Sequence, residues 1–182
     1  MKLLFCDVET TGLDPVKDQI VEICVKILNK DGSQGGGEWL AKVRPTVKVS
    51  PEAAKINGFT EIGWQEAIDQ DTLKTVFNDW LRSGEYQLVN WNPSFDLAFI
   101  RPLVINFKLA YHPLDILSMV WSRAYTIPEF TDSLGKLRKY PDLTKMYEII
   151  TGLPMMNAHS ALGDVDACIE LYRFVVGYRG LP

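Results

Sequence analysis

Asp7 and Glu9 stand two residues apart at the end of the apolar run Leu3-Leu4-Phe5-Cys6. In an extended strand, positions i and i+2 leave the same face, so the two carboxylates sit side by side and repel unless a cation lies between them. A lone pair of this kind also describes a solvated strand end. A third acid, Asp96, lies in Trp91-Asn92-Pro93-Ser94-Phe95-Asp96, where a strand is expected to hand over to a helix. There it reads either as a site residue or as a first-turn acid complementing the helix dipole. The last cluster is His159-Ser160-Ala161-Leu162-Gly163-Asp164. A spacing of five does not bring two residues onto one helical face. His159 is therefore expected on a loop, Ser160 as the cap, and Asp164 in the second turn, with Gly163 leaving room for a backbone or a ligand to approach. The chain has only 2 histidines, so a site needing one has few candidates. Carboxylates and water suit hard divalent ions such as magnesium or manganese. Two such ions about 4 Å apart can clamp the attacking and leaving oxygens of a phosphodiester displacement.

The elements needed to carry these residues are legible in outline. Residues 2–8, 20–28 and 38–44 read as strands, and 29–37, with its Asp31-Gly32 signal, as the turn joining the second to the third. Ser50-Pro51 opens a short helix that Asn57-Gly58 ends. Residues 68–81 carry apolar side chains at a helical period, 86–91 form a fourth strand, and 93–106 a helix. Residues 111–113 are expected as a fifth strand. Helices are expected at 115–124, 134–139, 143–151 and 160–178, the last with Val165, Cys168, Ile169, Tyr172 and Val176 on its apolar face. Asp115, Asp142 and Asp166 read as caps or surface acids. A meander followed by alternating helix and strand predicts an α/β fold, a mixed sheet with helices on both faces.

Taken together, Phe5-Cys6-Asp7-Val8-Glu9-Thr10-Thr11-Gly12-Leu13, Asn92 to Asp96, and Ala158-His159 to Asp164 resemble the three motifs of the DnaQ-like DEDDh 3′→5′ exonucleases. The segment Ser50 to Thr60 resembles the stretch between the first two motifs that packs near the substrate end. The resemblance runs in order along nearly the whole chain. It implies a ribonuclease-H-like three-layer α/β/α fold with a five-stranded mixed sheet, and hydrolysis at a 3′ end that releases nucleoside 5′-monophosphates. It implies that Asp7 bridges two Mg2+ or Mn2+ ions, that Glu9 and Asp164 complete the nucleophile-side site, and that Asp96 holds the second ion through water. His159 accepts the proton of the attacking water. The backbone of the Thr10–Leu13 loop meets the terminal nucleotide, and Leu13, Ile56 and Phe95 pack against the last bases. The chain departs from the family pattern at Trp91 and at Asn57, where members often carry histidine. Both departures bear on substrate preference.

Bulk properties bound these expectations. The 182 residues, 47% hydrophobic and 23% charged, suit a single domain over 1–182 that needs no disulfide to fold. Cys6, Cys24 and Cys168 sit singly in apolar runs, as small core residues of a reducing compartment do. The first apolar run is too short for a signal peptide, and no stretch reaches the roughly 18–20 residues of a membrane span. The expected location is the cytoplasm. A net charge of −4 argues against broad phosphate neutralisation of a long duplex, but acids gathered around divalent cations form a local electropositive site. The expected partner is a nucleic-acid 3′ end, single-stranded or frayed DNA. RNA ends or short oligoribonucleotides are the alternative substrate, and an inactive metal-binding module that recruits a polymerase is the alternative class. A polymerase partner is compatible with the residues, but the chain ends soon after its last helix and offers no tail to tether one.

Overall fold

The computed structural model describes residues 1–82, 85–104, 111–132, 136 and 139–178. Five strands form one mixed sheet in the order β3-β2-β1-β4-β5. They are β1 (Lys2–Thr10), β2 (Ile20–Leu28), β3 (Gln34–Lys42), β4 (Tyr86–Asn90) and β5 (Leu114–Asp115). The first three make an antiparallel meander, while β4 joins β1, and β5 joins β4, in parallel. Among the described residues six α-helices accompany them: α1 (Pro51–Asn57), α2 (Gln70–Arg82), α3 (Ser94–Ile100), α4 (Ile116–Trp121), α5 (Leu143–Thr151) and α6 (Ala161–Val176).

The two central strands are apolar on both faces because both faces are covered. Leu3, Phe5, Cys24, Leu28 and Val89 pack with α4, α5 and α6. Leu4, Cys6, Val8, Ile23, Val25 and Leu88 pack with α2 and α3. This is the expected three-layer α/β/α arrangement. Alternation along β1 puts Asp7 and Glu9 on the face that carries Leu3 and Phe5, which is the α6 face. The three cysteines are free and buried, as expected of core residues.

Several boundaries differ from expectation for identifiable reasons. Strand β3 begins at Gln34, so Gly35, Gly36 and Gly37 lie within it and not in the turn. A side chain at Gly35 would meet the Leu28 backbone at 2.4 Å; the glycine allows the close approach where the β2–β3 register shifts. The helix expected over 93–106 stops at Ile100 and tightens into a 3-10 turn at Arg101–Leu103, because Pro102 has no N–H to continue the ladder. The fifth strand falls at Leu114–Asp115, after Pro113, and not at 111–113. Helix α4 follows at once, capped by Asp115, and ends at Trp121. Helix α6 ends at Val176 against a left-handed Gly177, and Val176, expected on the apolar face, is exposed. Most of the helix expected at 134–139 lies outside the described residues.

Candidate active site

The β1 end, the start of α3 and the start of α6 bring the sequence-predicted acids to one edge of the sheet. Asp7, Glu9 and Asp164 each offer a carboxylate oxygen within 4.8 Å of the others. Asp96 is not part of that triplet but stands against the same strand. It is 3% exposed, and its Oδ1 accepts the Val8 amide at 3.2 Å. The Asn90 side chain also hydrogen-bonds to it and donates to the Cys6 carbonyl. Asp96 is thus held by β1 and β4 together, although it belongs to a helix of the opposite layer.

His159 lies just before α6 and is exposed at the rim of the acids. Its backbone is left-handed, φ 63°, and its amide donates to Asp164 Oδ1 at 3.1 Å. The Ser160 hydroxyl accepts from the Gly163 amide at 3.1 Å, the expected cap. The room left by Gly163 is taken by backbone: an added Cβ would lie 2.1 Å from the Asn157 carbonyl oxygen. Asn92 and Asn157 also have positive φ. Among the described residues, all three left-handed non-glycine residues therefore flank the acid-bearing segments, where backbone strain commonly gathers at functional sites.

The electrostatics reflect crowded like charge. Burial, and then the Asp96, Asp164, Glu9 and Glu22 carboxylates, hold the Asp7 carboxyl well above its usual range. Burial, and then Asp164, Glu22 and Asp96, push Glu9 up to about 8. Asp96 is raised to about 7, chiefly by burial, against the opposing hydrogen bonds from Val8 and Asn90. Asp164 is raised by burial and eased by the His159 amide. An all-oxygen donor set under this mutual repulsion fits hard divalent cations, since positive charge relieves the penalty on every member at once.

Beside the acids opens an apolar groove of about 600 Å³, lined by Glu9, Thr10, Leu13, Ile56, Asn57 and Phe95 among others. Leu13 is 84% and Ile56 57% exposed, so these two apolar side chains are surface walls and not core. Phe95 is half-buried and tilts against Phe99 at 5.0 Å between centroids. Thr10 is buried; its hydroxyl donates to the Gly12 carbonyl at 2.6 Å and braces its own loop. All four residues expected at the substrate end therefore border one groove.

Asn57, read in the sequence as a helix end and a departure from the family pattern, has a bracing part as well, and two contributors, Asn90 and Glu22, escaped the sequence reading. Asn57 donates to the Thr10 carbonyl at 3.0 Å and accepts from the Phe59 amide at 3.1 Å, tying α1 to the end of β1. Asn90 braces Asp96. Glu22, on β2 directly opposite Glu9, is 8% exposed and accepts from the Ala161 amide. Its signal was available: an acid inside the otherwise apolar run Ile20-Val21-Glu22-Ile23-Cys24-Val25.

Comparison with known proteins gives the family and the fold. The chain is 31% identical over 174 residues to the PolC-type DNA polymerase III of Thermotoga maritima, covering 93% of this chain and 11% of the polymerase. It spans about a tenth of the length of that relative. The exonuclease I of E. coli, solved in complex with a dA16 oligonucleotide, superposes with a TM-score of 0.81 at 19% identity, over 98% of this chain and 41% of the other. The exonuclease I of Methylocaldum szegediense gives 0.74 at 23% identity, over 98% and 41%. These structural likenesses bear on the fold alone. A family model described as Exonuclease, that of RNase T, matches residues 4–172, and with its acid-lined sheet edge this chain belongs to that exonuclease family.

Proposed function

We propose that the chain is a 3′→5′ exonuclease of DNA, acting on single-stranded or frayed ends and releasing nucleoside 5′-monophosphates. The observation that carries this reading is the convergence of Asp7, Glu9 and Asp164 within 4.8 Å beside an open apolar groove. The DNA polymerase relative and the oligonucleotide held by E. coli exonuclease I support DNA as the substrate. The same relative makes a polymerase the partner to test first. Buried free cysteines accord with a reducing, cytoplasmic setting; among the described residues no helix is long and apolar enough to cross a membrane.

In this mechanism Asp7, Glu9 and Asp164 would hold one divalent ion and Asp96 would contribute to a second. Bound there, magnesium or manganese supplies positive charge toward the attacking and leaving oxygens. Leu13, Ile56 and Phe95 pack the terminal nucleotides so that the last phosphodiester lies against the acids. His159, exposed at the rim, takes a proton from water as its oxygen attacks phosphorus. The bond to the 3′-oxygen of the penultimate nucleotide breaks, that oxygen leaves with the electron pair and is protonated from solvent, and the freed nucleotide keeps its 5′-phosphate.

The test is digestion of 3′-labelled single- and double-stranded DNA and of RNA, with Mg2+, Mn2+ or EDTA. Label should leave first, as mononucleotide, from single-stranded DNA with either ion. Removal from the 5′ end, or cleavage that persists in EDTA, would defeat the proposal; preference for RNA would overturn the substrate assignment.

A further inference from the structure

The acid that the mechanism leaves unused is Glu22. Cross-strand partners share a sheet face, so Glu22, paired with Glu9, joins Asp7 and Glu9 on the side where α6 lies. Its carboxylate is buried among three others, and it adds to the repulsion felt by Asp7, Glu9 and Asp164. An uncharged side chain would relieve that repulsion, so the group is held in place against its electrostatic surroundings. It lies outside the triplet able to hold a metal. What it does hold is the amide of Ala161, the first residue of α6, at 3.1 Å from Oε2. The junction between loop and helix is braced from within, by His159 N–H to Asp164 Oδ1, Gly163 N–H to Ser160 Oγ and the Ser160 hydroxyl to the Asn157 carbonyl among others. The bond from Ala161 to Glu22 ties the junction to the sheet.

We propose that Glu22 is a positioning residue for His159, fixing the loop that carries it relative to Asp7 and Glu9 through the Ala161 amide. The route is short: the β1–β2 ladder sets Glu22 against Glu9, Glu22 holds Ala161, and Ala161 is two residues from His159. The inference rests on His159 as the proton acceptor of the proposed reaction. It requires the reach and the acceptor oxygen of the side chain, not its charge.

Two substitutions separate reach from charge. Glu22→Gln keeps the length and a carbonyl acceptor but loses the charge; Glu22→Asp keeps the charge but is one methylene short. With labelled single-stranded DNA and Mg2+, Glu22→Gln should stay within about 3-fold of the parent kcat. Glu22→Asp should lose about 10–100-fold in kcat, the scale of an ångström misplacement, at unchanged KM and unchanged Mg2+ dependence. In a His159→Ala background, read at enzyme excess, Glu22→Asp should add no further loss, because residues acting through one another are not additive. Equal losses in both backgrounds, a charge-following pattern (Asp active, Gln dead), or a weakened Mg2+ dependence overturn the proposal and leave the exonuclease reading standing. Full activity of His159→Ala instead removes the general-base assignment and this inference with it. Melting temperatures of both variants in EDTA show whether each is folded.

Discussion

Asp7 is the residue on which opposed demands converge. It is half-buried, its neighbours in charge are acids, and its carboxyl is consequently held well above the usual range. A carboxylate placed for fold stability alone would have a donor or a cation beside it; this one gains only when positive charge arrives. Asp7→Asn keeps the shape while removing one member of the repelling set. The variant should melt higher than the parent in EDTA, lose the rise in melting temperature that Mg2+ gives the parent, and lose DNA cleavage altogether. Thermal melts with and without Mg2+, beside the cleavage assay, check all three. A parent-like response to Mg2+ in Asp7→Asn would sink the ligand assignment.

At the scale of elements, the third motif depends on a loop folded back on a helix. The Asn157 carbonyl packs where a Cβ of residue 163 would stand, at 2.1 Å, and real atoms do not approach so closely. Gly163→Ala must therefore push the 157–160 loop away from α6 and carry His159 with it. The expected result is a fall in kcat of about 10-fold or more, with the Mg2+-induced rise in melting temperature retained because Asp7, Glu9 and Asp96 are untouched. A Gly163→Ala enzyme of parental kcat would show that the loop's position does not matter. This dependence also explains what the sequence could and could not disclose. Helix starts were readable because Ser50, Asp142 and Ser160 announce them with side-chain oxygens that the structure finds bonded to the first turn. The acids were readable because their type, order and spacing matched a known chemistry. Glu22 and Asn90 were not, since each acts across a strand pair or a layer boundary, and no local spacing encodes that contact. The β3 start was missed because three glycines read as turn, while their lack of a side chain serves close strand approach. The end of the third helix was missed although Pro102 stood in plain view, because the apolar period continues past it.

For the molecule as a whole, the acid cluster predicts an unusual pH dependence of stability. In the unfolded chain these carboxyls ionise near pH 4. In the fold Asp96 holds its proton to about 7 and Glu9 to about 8, with Asp7 and Asp164 raised as well. Between those limits the native state binds more protons than the unfolded one, so stability falls as pH rises. For Asp96 and Glu9 the destabilisation begins near pH 4 and is complete above about pH 8, and it is opposite in sign to the usual salt-bridged acid. In the proposed reaction divalent ions would bind the native site in its ionised form and work against it, increasingly as protons leave. Melting curves from pH 5.5 to 8.5 should therefore show a falling melting temperature in EDTA and a widening gap from the Mg2+-saturated protein. For a chain of this size each kcal/mol corresponds to about 2–4 °C, which calorimetry or dye-based melts resolve. A gap independent of pH, or a melting temperature in EDTA that climbs across this range, would mean that the carboxyls are ionised in the metal-free fold. In that case the cluster would not be the strained, cation-demanding site on which the exonuclease reading depends.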